Sequence, residues 1–258
     1  EFISPLVFET LTGNKCYVDT FDRNFKFDVE HISLAKKADI FMIAPATANV
    51  IAKIASGIAD DMLTTTFLAS KCKKIVSPAM NTAMFENQIT QDNIAKLKKY
   101  GIGVVEPQNG LLACGDTGAG KMPEPDFLFD VIEREIAREK DMLGKKVLVT
   151  AGATMESLDP VRFLTNHSSG KMGFAIAKEA MLRGAEVTVV KANTTAEIPN
   201  FVKIVEASSA KDMFDAVTAL SDQQDIIVKA AAVADYTPES YVDSKIKKKD
   251  GDLSIPLK

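Results

Sequence analysis

The feature that most constrains the fold is a set of short, continuously apolar runs separated by segments with helical spacing. Residues 39–44, 74–77 and 102–105 form the first three runs. Strands that are buried on both faces are apolar at every position, and helices between them imply parallel pairing. The sequence therefore predicts a unit built on a parallel sheet, whose first two strands end at Pro45 and Pro78.

A second series of the same kind follows further along the chain. Residues 147–150, 186–190 and 226–230 are apolar runs, and residues 173–183 and 212–220 between them have helical spacing. This alternation predicts a second α/β unit with a three-stranded parallel sheet. The expected fold class is α/β, with two successive Rossmann-like units and parallel sheets.

The boundary between the two units is predicted near Asp141. An amphipathic helix at residues 127–139 closes the first series, and residues 141–146 have the character of a short hinge. We therefore expect one domain over residues 1–140 and another over residues 141–258.

Composition restricts the class of partner. The 258 residues are 46% hydrophobic and 26% charged, with a net charge of −4, so electrostatics favour neither nucleic acid nor an anionic membrane. The longest apolar stretch, residues 40–52, is too short to span a bilayer. The three cysteines, Cys16, Cys72 and Cys114, are widely spaced and odd in number, which favours a reducing compartment. We expect a cytoplasmic protein.

Polar and small residues follow the first two strands, at the sheet edge where α/β proteins bind ligands. Residues 45–49 open a helix at Val50, and they suit either a ligand site or an ordinary strand–helix turn. Asn81, after the second strand, offers donors and an acceptor for a carboxylate, and it equally suits a plain turn.

Two further candidates stand apart from these turns. Residues 113–122 contain three glycines after Cys114, which predicts a tight, mobile loop with an exposed thiol that is either reactive or inert. His31 begins a predicted helix at residues 32–37, where it is either a base or an ordinary surface residue.

Together these segments resemble the flavin-containing cysteine decarboxylases, in particular the phosphopantothenoylcysteine decarboxylases. Residues 45–49 are similar to the flavin-contacting motif, with Thr47 where serine is common. Residues 78–85 resemble the substrate clamp, with Phe85 in the place of tryptophan, and residues 113–116 resemble the active-site flap. The resemblance implies an FMN cofactor, contacted by Pro45, Ala46, Thr47, Asn49 and Met80.

The resemblance also implies roles in catalysis. Oxidation of the substrate's cysteine thiol with FMN gives a thioaldehyde, which accepts the electrons released when CO2 leaves. By this resemblance His31 orients or deprotonates the substrate, Asn81 binds its carboxylate, and Cys114 protonates the enethiolate as the reduced flavin returns hydride.

The second unit has its own polar segments after strands. Residues 150–154 are a weak candidate for a phosphate loop, because they match neither a Walker loop nor Gly-x-Gly-x-x-Gly. Residues 159–173 gather Arg, Asn, His, Ser and Lys before a helix, and they suit an anion site or a polar loop with a capping serine. The small residues 230–234 would allow a base or ribose to approach closely. The lysines of residues 245–249, taken alone, suit a solvated face.

In order, these segments resemble the amino-terminal part of bacterial phosphopantothenate–cysteine ligases. The resemblance implies that CTP and Mg²⁺ convert 4′-phosphopantothenate to an acyl-cytidylate, which the amine of cysteine then attacks. It assigns Lys245 to acyl-cytidylate formation, Asn166 to its handling, and Ala231, Asp235, Ser168 and Ser169 to substrate and nucleotide binding.

Both resemblances occur in the order of the bacterial fusion of decarboxylase and ligase in coenzyme A biosynthesis. They imply a parent protein that continues before Glu1 and after Lys258, and a homo-oligomer, by analogy a dodecamer. Two alternatives remain: a regulatory or binding flavoprotein without catalysis, and an NAD-dependent dehydrogenase. The latter lacks its Gly-x-Gly-x-x-Gly turn here.

Overall fold

The computed structural model describes residues 3–20, 29–112, 115–247 and 254–258. By its internal contacts the chain divides into two compact units, Glu1–Ile132 and Glu133–Lys258. Each unit combines helices with a parallel sheet, so the predicted α/β fold class is confirmed. Within the described part of the chain, no helix has both the length and the apolar character that crossing a membrane requires.

The first unit is built on three parallel strands. The elements up to residue 136 are, in chain order, α1 (Pro5–Thr12), α2 (Glu30–Lys37), β1 (Ile40–Ala46), α3 (Ala48–Ser56), α4 (Met62–Ala69), β2 (Lys73–Pro78), α5 (Thr82–Glu86), α6 (Gln88–Lys99), β3 (Gly103–Val104), β4 (Gln108–Leu111), β5 (Thr117–Lys121) and α7 (Pro125–Ile136). Strands β1, β2 and β3 lie side by side in that order. Strands β4 and β5 form a separate antiparallel hairpin.

Both faces of this sheet are buried. Val76 of β2 packs in one cluster with Ile51 of α3 and Leu97 of α6. Its neighbour Ile75 packs in another cluster with Leu128 of α7. Successive side chains of a strand point to opposite faces, so helices on both sides explain why β2 is apolar at consecutive positions.

The sequence predicts that the first two strands end at Pro45 and Pro78; β2 does end at Pro78, whereas β1 extends one residue beyond Pro45. Strand β1 continues through Pro45 to Ala46, and β2 includes Pro78. The pairing of β1 with β2 shifts between Ile43 and Ala46. Proline has no N–H to donate, and this irregularity lets Pro45 lie in the strand without breaking a regular ladder.

The second unit contains a four-stranded parallel sheet and a small antiparallel pair. Its further elements are, in chain order, β6 (Lys146–Ala151), β7 (Met155–Ser157), β8 (Phe163–Thr165), α8 (Lys171–Leu182), β9 (Glu186–Lys191), β10 (Lys203–Glu206), α9 (Ala210–Ser221) and β11 (Ile226–Lys229). The sheet has the order β10–β9–β6–β11, and β7 pairs with β8. Val149 of β6 packs against Phe174 of α8, whereas Leu148 packs in a cluster with Met213 of α9.

The prediction of three strands in this sheet was wrong, because it missed β10. That strand is four residues long and lies at the edge of the sheet, outside β9. Its apolar residues are Ile204 and Val205, with Lys203 and Glu206 on either side. An edge strand has one neighbour and needs less apolar surface, so its signal in the sequence is weak.

Candidate functional sites

The predicted flavin-contacting residues gather at the carboxyl edge of the first sheet. Ala46 ends β1 and is fully buried, and Thr47 caps α3 by accepting a hydrogen bond from the Val50 N–H at 3.3 Å. The turns after β1 and β2 are joined directly, because the Ala79 N–H donates to the Ala46 carbonyl at 2.9 Å. Pro45, Thr47 and Asn49 are exposed at this edge, and Met80 is half-buried beside it.

Asn81 forms a turn and also contacts a carboxylate of the protein itself. Its Oδ1 accepts from the Ala83 N–H at 2.9 Å and so caps α5, as a turn-forming asparagine does. Its Nδ2 donates to a carboxylate oxygen, Oδ2 of Asp116, at 3.4 Å. The side chain therefore forms the turn and still directs its amide hydrogens toward a carboxylate.

The glycine-rich segment is not the loop that the sequence predicts. Residues Thr117–Lys121 form β5, paired with β4 in a hairpin. The Met80 N–H donates to the Gly120 carbonyl at 3.0 Å, which docks the hairpin on the turn after β2. A Cβ at Gly120 would lie 2.1 Å from the Met80 carbonyl oxygen, and one at Gly118 would lie 2.4 Å from Thr82 Oγ1. Gly118 and Gly120 therefore serve close packing of the hairpin.

Replacing Gly120 with alanine is expected to displace the hairpin from the Met80 turn. Gly120 has φ of +129°, and its added Cβ would collide with backbone. Gly115→Ala is the matched control, because Gly115 also has a positive φ, of +90°, but open space around it. We expect Gly120→Ala to lose about 1–3 kcal/mol more unfolding free energy in urea than Gly115→Ala. Equal losses would contradict this packing role.

The other two predicted catalytic residues of this unit are His31 and Cys114. His31 lies in the first turn of α2 and is half-buried. Among the described residues, it forms no hydrogen bond or ion pair with Asn81 or with the Thr47 turn. Cys114 lies outside the described residues, although Asp116, two positions further on, contacts Asn81.

In the second unit, the loop after β6 is tied to the segment after β11. Thr150 Oγ1 accepts hydrogen bonds from the N–H groups of Ala230 and Ala231, each at 3.1 Å. Thr154 Oγ1 accepts from the Ala234 N–H at 2.9 Å. These bonds hold the small residues before Asp235 against the carboxyl edge of the sheet, and Asp235 itself is exposed.

The start of α8 lies against the same loop. Gly170 caps α8 with φ of +76°, and a Cβ there would lie 2.6 Å from Thr194 Oγ1 and 3.2 Å from the Gly152 nitrogen. Ser168 Oγ accepts from the Gly170 N–H and Ser169 Oγ accepts from the Lys171 N–H, each at 3.4 Å. The amino end of α8 thus lies against the β6 loop, and the two serine hydroxyls accept hydrogen bonds from its first N–H groups.

Asn166 directly follows β8 and contacts the segment after β11. Its Nδ2 donates to the Val233 carbonyl at 3.2 Å, and the preceding Thr165 donates through Oγ1 to the Thr154 carbonyl at 2.7 Å. Asn166 is therefore brought to the same edge as Ala231 and Asp235. Within the described ranges, no hydrogen bond joins Lys245 to any of these residues, and its side chain is exposed.

Asp159 and Arg162 contact the segment that carries Lys245, and the sequence alone does not predict this role for them. The Asp159 side chain is fully buried, and its Oδ2 accepts from the Ile246 N–H at 3.0 Å. Arg162 Nη2 donates to the Ile246 carbonyl at 3.0 Å. The pKa of the Asp159 carboxyl is held below its ordinary value, chiefly by the Ile246 N–H and further by the N–H groups of Val161 and Arg162. Asp159 and Arg162 thus hold the N–H and the carbonyl of Ile246, the residue that follows Lys245.

Among the described residues, no group of three or more His, Cys, Asp or Glu side chains is arranged to hold a metal ion.

Two protein families match successive parts of the chain. Residues 1–137 match the family described as Flavoprotein, and residues 142–258 match the DNA/pantothenate metabolism flavoprotein C-terminal domain. The coenzyme A biosynthesis bifunctional protein CoaBC of Bacillus subtilis is 43% identical over 100% of this chain and 64% of its own length. CoaBC of Vibrio vulnificus strain YJ016 is 44% identical over 97% of this chain and 62% of its own length.

The chain thus spans a little less than two thirds of the length of these curated relatives. Among solved structures, a PPC decarboxylase mutant complexed with pantothenoylaminoethenethiol is 33% identical, with a TM-score of 0.45, over 48% of this chain and 71% of that one. The relationship therefore rests on the sequence matches.

Proposed function

The chain belongs to the flavoprotein family, and from this membership we propose that it carries two successive steps of coenzyme A biosynthesis. Residues 141–258 contribute to a ligase that joins cysteine to 4′-phosphopantothenate with CTP. Residues 1–140 form an FMN-dependent decarboxylase that converts the product, 4′-phosphopantothenoylcysteine, to 4′-phosphopantetheine. The CoaBC relatives, 43% and 44% identical over nearly the whole chain, support both assignments.

The residues at the carboxyl edge of the first sheet fit a flavin. Pro45, Thr47 and Asn49 are exposed there, and the small Ala46 and Thr47 would let a planar ring approach the backbone closely. In this proposal, the residues that hold the flavin are Pro45, Ala46, Thr47, Asn49 and Met80. When bound, the flavin would supply a two-electron acceptor for oxidation of the substrate's cysteine thiol and, once reduced, the two-electron donor that returns these electrons after CO2 has left.

The contact of Asn81 with a carboxylate is the observation that carries the decarboxylase proposal. Its Nδ2 donates to the Asp116 carboxylate at 3.4 Å, and the substrate's carboxylate would take the place of Asp116 there. His31 would accept the thiol proton as the thioaldehyde forms. Cys114 would donate a proton to the enethiolate after CO2 has left.

For the ligase, the amino end of α8 beside the β6 loop supports a nucleotide site, because the positive end of a helix dipole favours phosphate groups. The carboxylate of 4′-phosphopantothenate attacks the α-phosphate of CTP, and pyrophosphate leaves. The amine of cysteine then attacks the acyl carbon, an amide bond forms, and CMP leaves. Lys245 would stabilise negative charge as pyrophosphate leaves, since a cation is needed where charge develops.

The remaining nucleotide-site residues bind and orient. Ser168 and Ser169, at the amino end of α8, would hold the phosphates. Ala231 and Asp235 would contact the ribose, and Asn166 would bind the acyl-cytidylate. Mg²⁺ would enter with the nucleotide, because it binds largely through phosphates and water.

The proposal extends to assembly and compartment. We assign the protein to the cytoplasm and to a homo-oligomer, with the dodecamer of the fused enzymes as the expected form. Its partners are then small molecules, 4′-phosphopantothenate, cysteine and CTP, with neither nucleic acid nor membrane.

The ligase proposal predicts a preference for CTP. Release of pyrophosphate from CTP by the complete protein, with 4′-phosphopantothenate and Mg²⁺ but without cysteine, should exceed release from ATP by about 100-fold, since losing paired polar contacts with a base costs several kcal/mol. Pyrophosphate release is measured with a coupled assay at equal nucleotide concentrations. Equal rates with ATP and CTP would contradict the assignment.

A further inference from the structure

The segment that carries Lys245 is tied down through its neighbours rather than through Lys245. We define the lysine strap as residues 242–247. The Ile246 N–H donates to Asp159 Oδ2 at 3.0 Å, and the Ile246 carbonyl accepts from Arg162 Nη2 at 3.0 Å. A second tie is the hydrogen bond from the Val242 N–H to the Leu158 carbonyl, also at 3.0 Å. Both polar groups of the Ile246 backbone are thus fixed by one loop.

We propose that Asp159 is a positioning residue that sets the Lys245 ammonium over the nucleotide site. The inference rests on the proposed ligase function. The Ile246 N–H belongs to the peptide group shared with Lys245, so holding it fixes the backbone from which the Lys245 side chain extends. Asp159 itself would touch neither substrate nor nucleotide.

The environment of Asp159 supports a specific task. Its side chain is fully buried, whereas that of Arg162 is 39% exposed. Oδ1 accepts from the N–H groups of Val161 and Arg162, each at 2.8 Å, and Oδ2 accepts from the Ile246 N–H. Arg162 Nη1 lies 3.7 Å from Oδ2. Burying a carboxylate is costly unless its oxygens are bonded in this way, and here one of those bonds goes to the strap.

The same loop continues to the other candidate residues of the site. It leads through β8 to Thr165, whose hydroxyl donates to the Thr154 carbonyl at 2.7 Å, and then to Asn166, which donates to the Val233 carbonyl. Asp159 and Asn166 are seven residues apart on this stretch. One short stretch of chain therefore sets both Asn166 and the Lys245 strap relative to the carboxyl edge of the sheet.

The test is Asp159→Asn in the complete protein. Asparagine keeps an acceptor for the Val161 and Arg162 N–H groups and presents an amide group, instead of an oxygen, to Ile246. We expect hydrogen exchange at the Ile246 amide to accelerate at least about tenfold, because its acceptor is lost. Pyrophosphate release without cysteine should fall about 10- to 100-fold with KM for CTP little changed, since a misplacement of about 1 Å has effects of this size.

The controls separate positioning from general loss of structure. Asp222→Asn, at an exposed carboxylate at the end of α9, should leave exchange and pyrophosphate release unchanged. Conversion of preformed acyl-cytidylate with cysteine should fall much less than its formation in Asp159→Asn. If that variant does not fold, Arg162→Lys removes the bond to the Ile246 carbonyl and leaves Asp159 in place, and the same selective loss is expected.

Two results would overturn the proposal: unchanged exchange at Ile246, or faster exchange with a normal rate of pyrophosphate release. If wild-type protein releases no pyrophosphate from CTP while the variant still exchanges faster, the ligase assignment fails and the role of Asp159 in it fails too. The exchange measurement would then show separately that Asp159 holds the strap.

Discussion

Replacing His31 with asparagine is expected to lower CO2 release from 4′-phosphopantothenoylcysteine by at least about 10³-fold, near the upper range for loss of a general base. Asparagine keeps the polarity and approximate size of the side chain but cannot accept the thiol proton. The half-buried position of His31 in the first turn of α2 allows it to face a ligand without being essential to the core. The measurement is release of labelled CO2 by the complete protein.

His167→Asn is the matched control, because His167 is the other histidine of the chain and lies in the second unit. It should leave CO2 release from the preformed substrate unchanged. Normal turnover in His31→Asn would remove the proposed base and favour the alternative of a binding or regulatory flavoprotein. Equal binding of FMN by both variants, measured from flavin absorbance, would show that the site itself is intact.

The second large effect is expected at Lys245. Lys245→Gln should lower acyl-cytidylate formation by about 10²- to 10³-fold, because one charged donor to a developing anion has an effect of this size. Glutamine retains much of the length and loses the positive charge. The rate is followed as pyrophosphate release without cysteine, at saturating CTP.

Lys247→Gln is the comparison that tests the simpler interpretation of a solvated lysine face. Lys247 is also exposed and lies two residues away on the same strap. If the strap acted on the nucleotide only through its total positive charge, Lys245→Gln and Lys247→Gln would lower the rate of acyl-cytidylate formation to the same small extent. A wild-type rate for Lys245→Gln would exclude Lys245 from the site.

The regular elements of the fold were predictable where burial leaves a continuous apolar run. Strands β2 and β6 are buried on both faces, and their sequences accordingly have apolar residues at consecutive positions. Strand β10 was missed because an edge position requires only two partly buried apolar residues. The sequence predicts that β1 ends at Pro45, whereas the shift in pairing between Ile43 and Ala46 accommodates this proline within the strand.

The site was predictable to the extent that it depends on strand ends. The carboxyl ends of parallel strands meet at one edge, so the turns after β1 and β2 could be expected to lie together, and the Ala79 N–H does donate to the Ala46 carbonyl. The hydrogen bond from Met80 to Gly120 joins residues 40 positions apart, and the hydrogen bond from Ile246 to Asp159 joins residues 87 positions apart. Local patterns contain no signal for such contacts, and glycine spacing suggested a mobile loop instead.

The measurement that tests the central proposal most directly is a mass spectrum of the product that the complete protein forms from 4′-phosphopantothenate, cysteine, CTP and Mg²⁺. Two successive steps on one protein predict 4′-phosphopantetheine, which carries the mass of an added cysteine less the mass of water and of CO2. Recovery of unchanged 4′-phosphopantothenate would contradict the proposal.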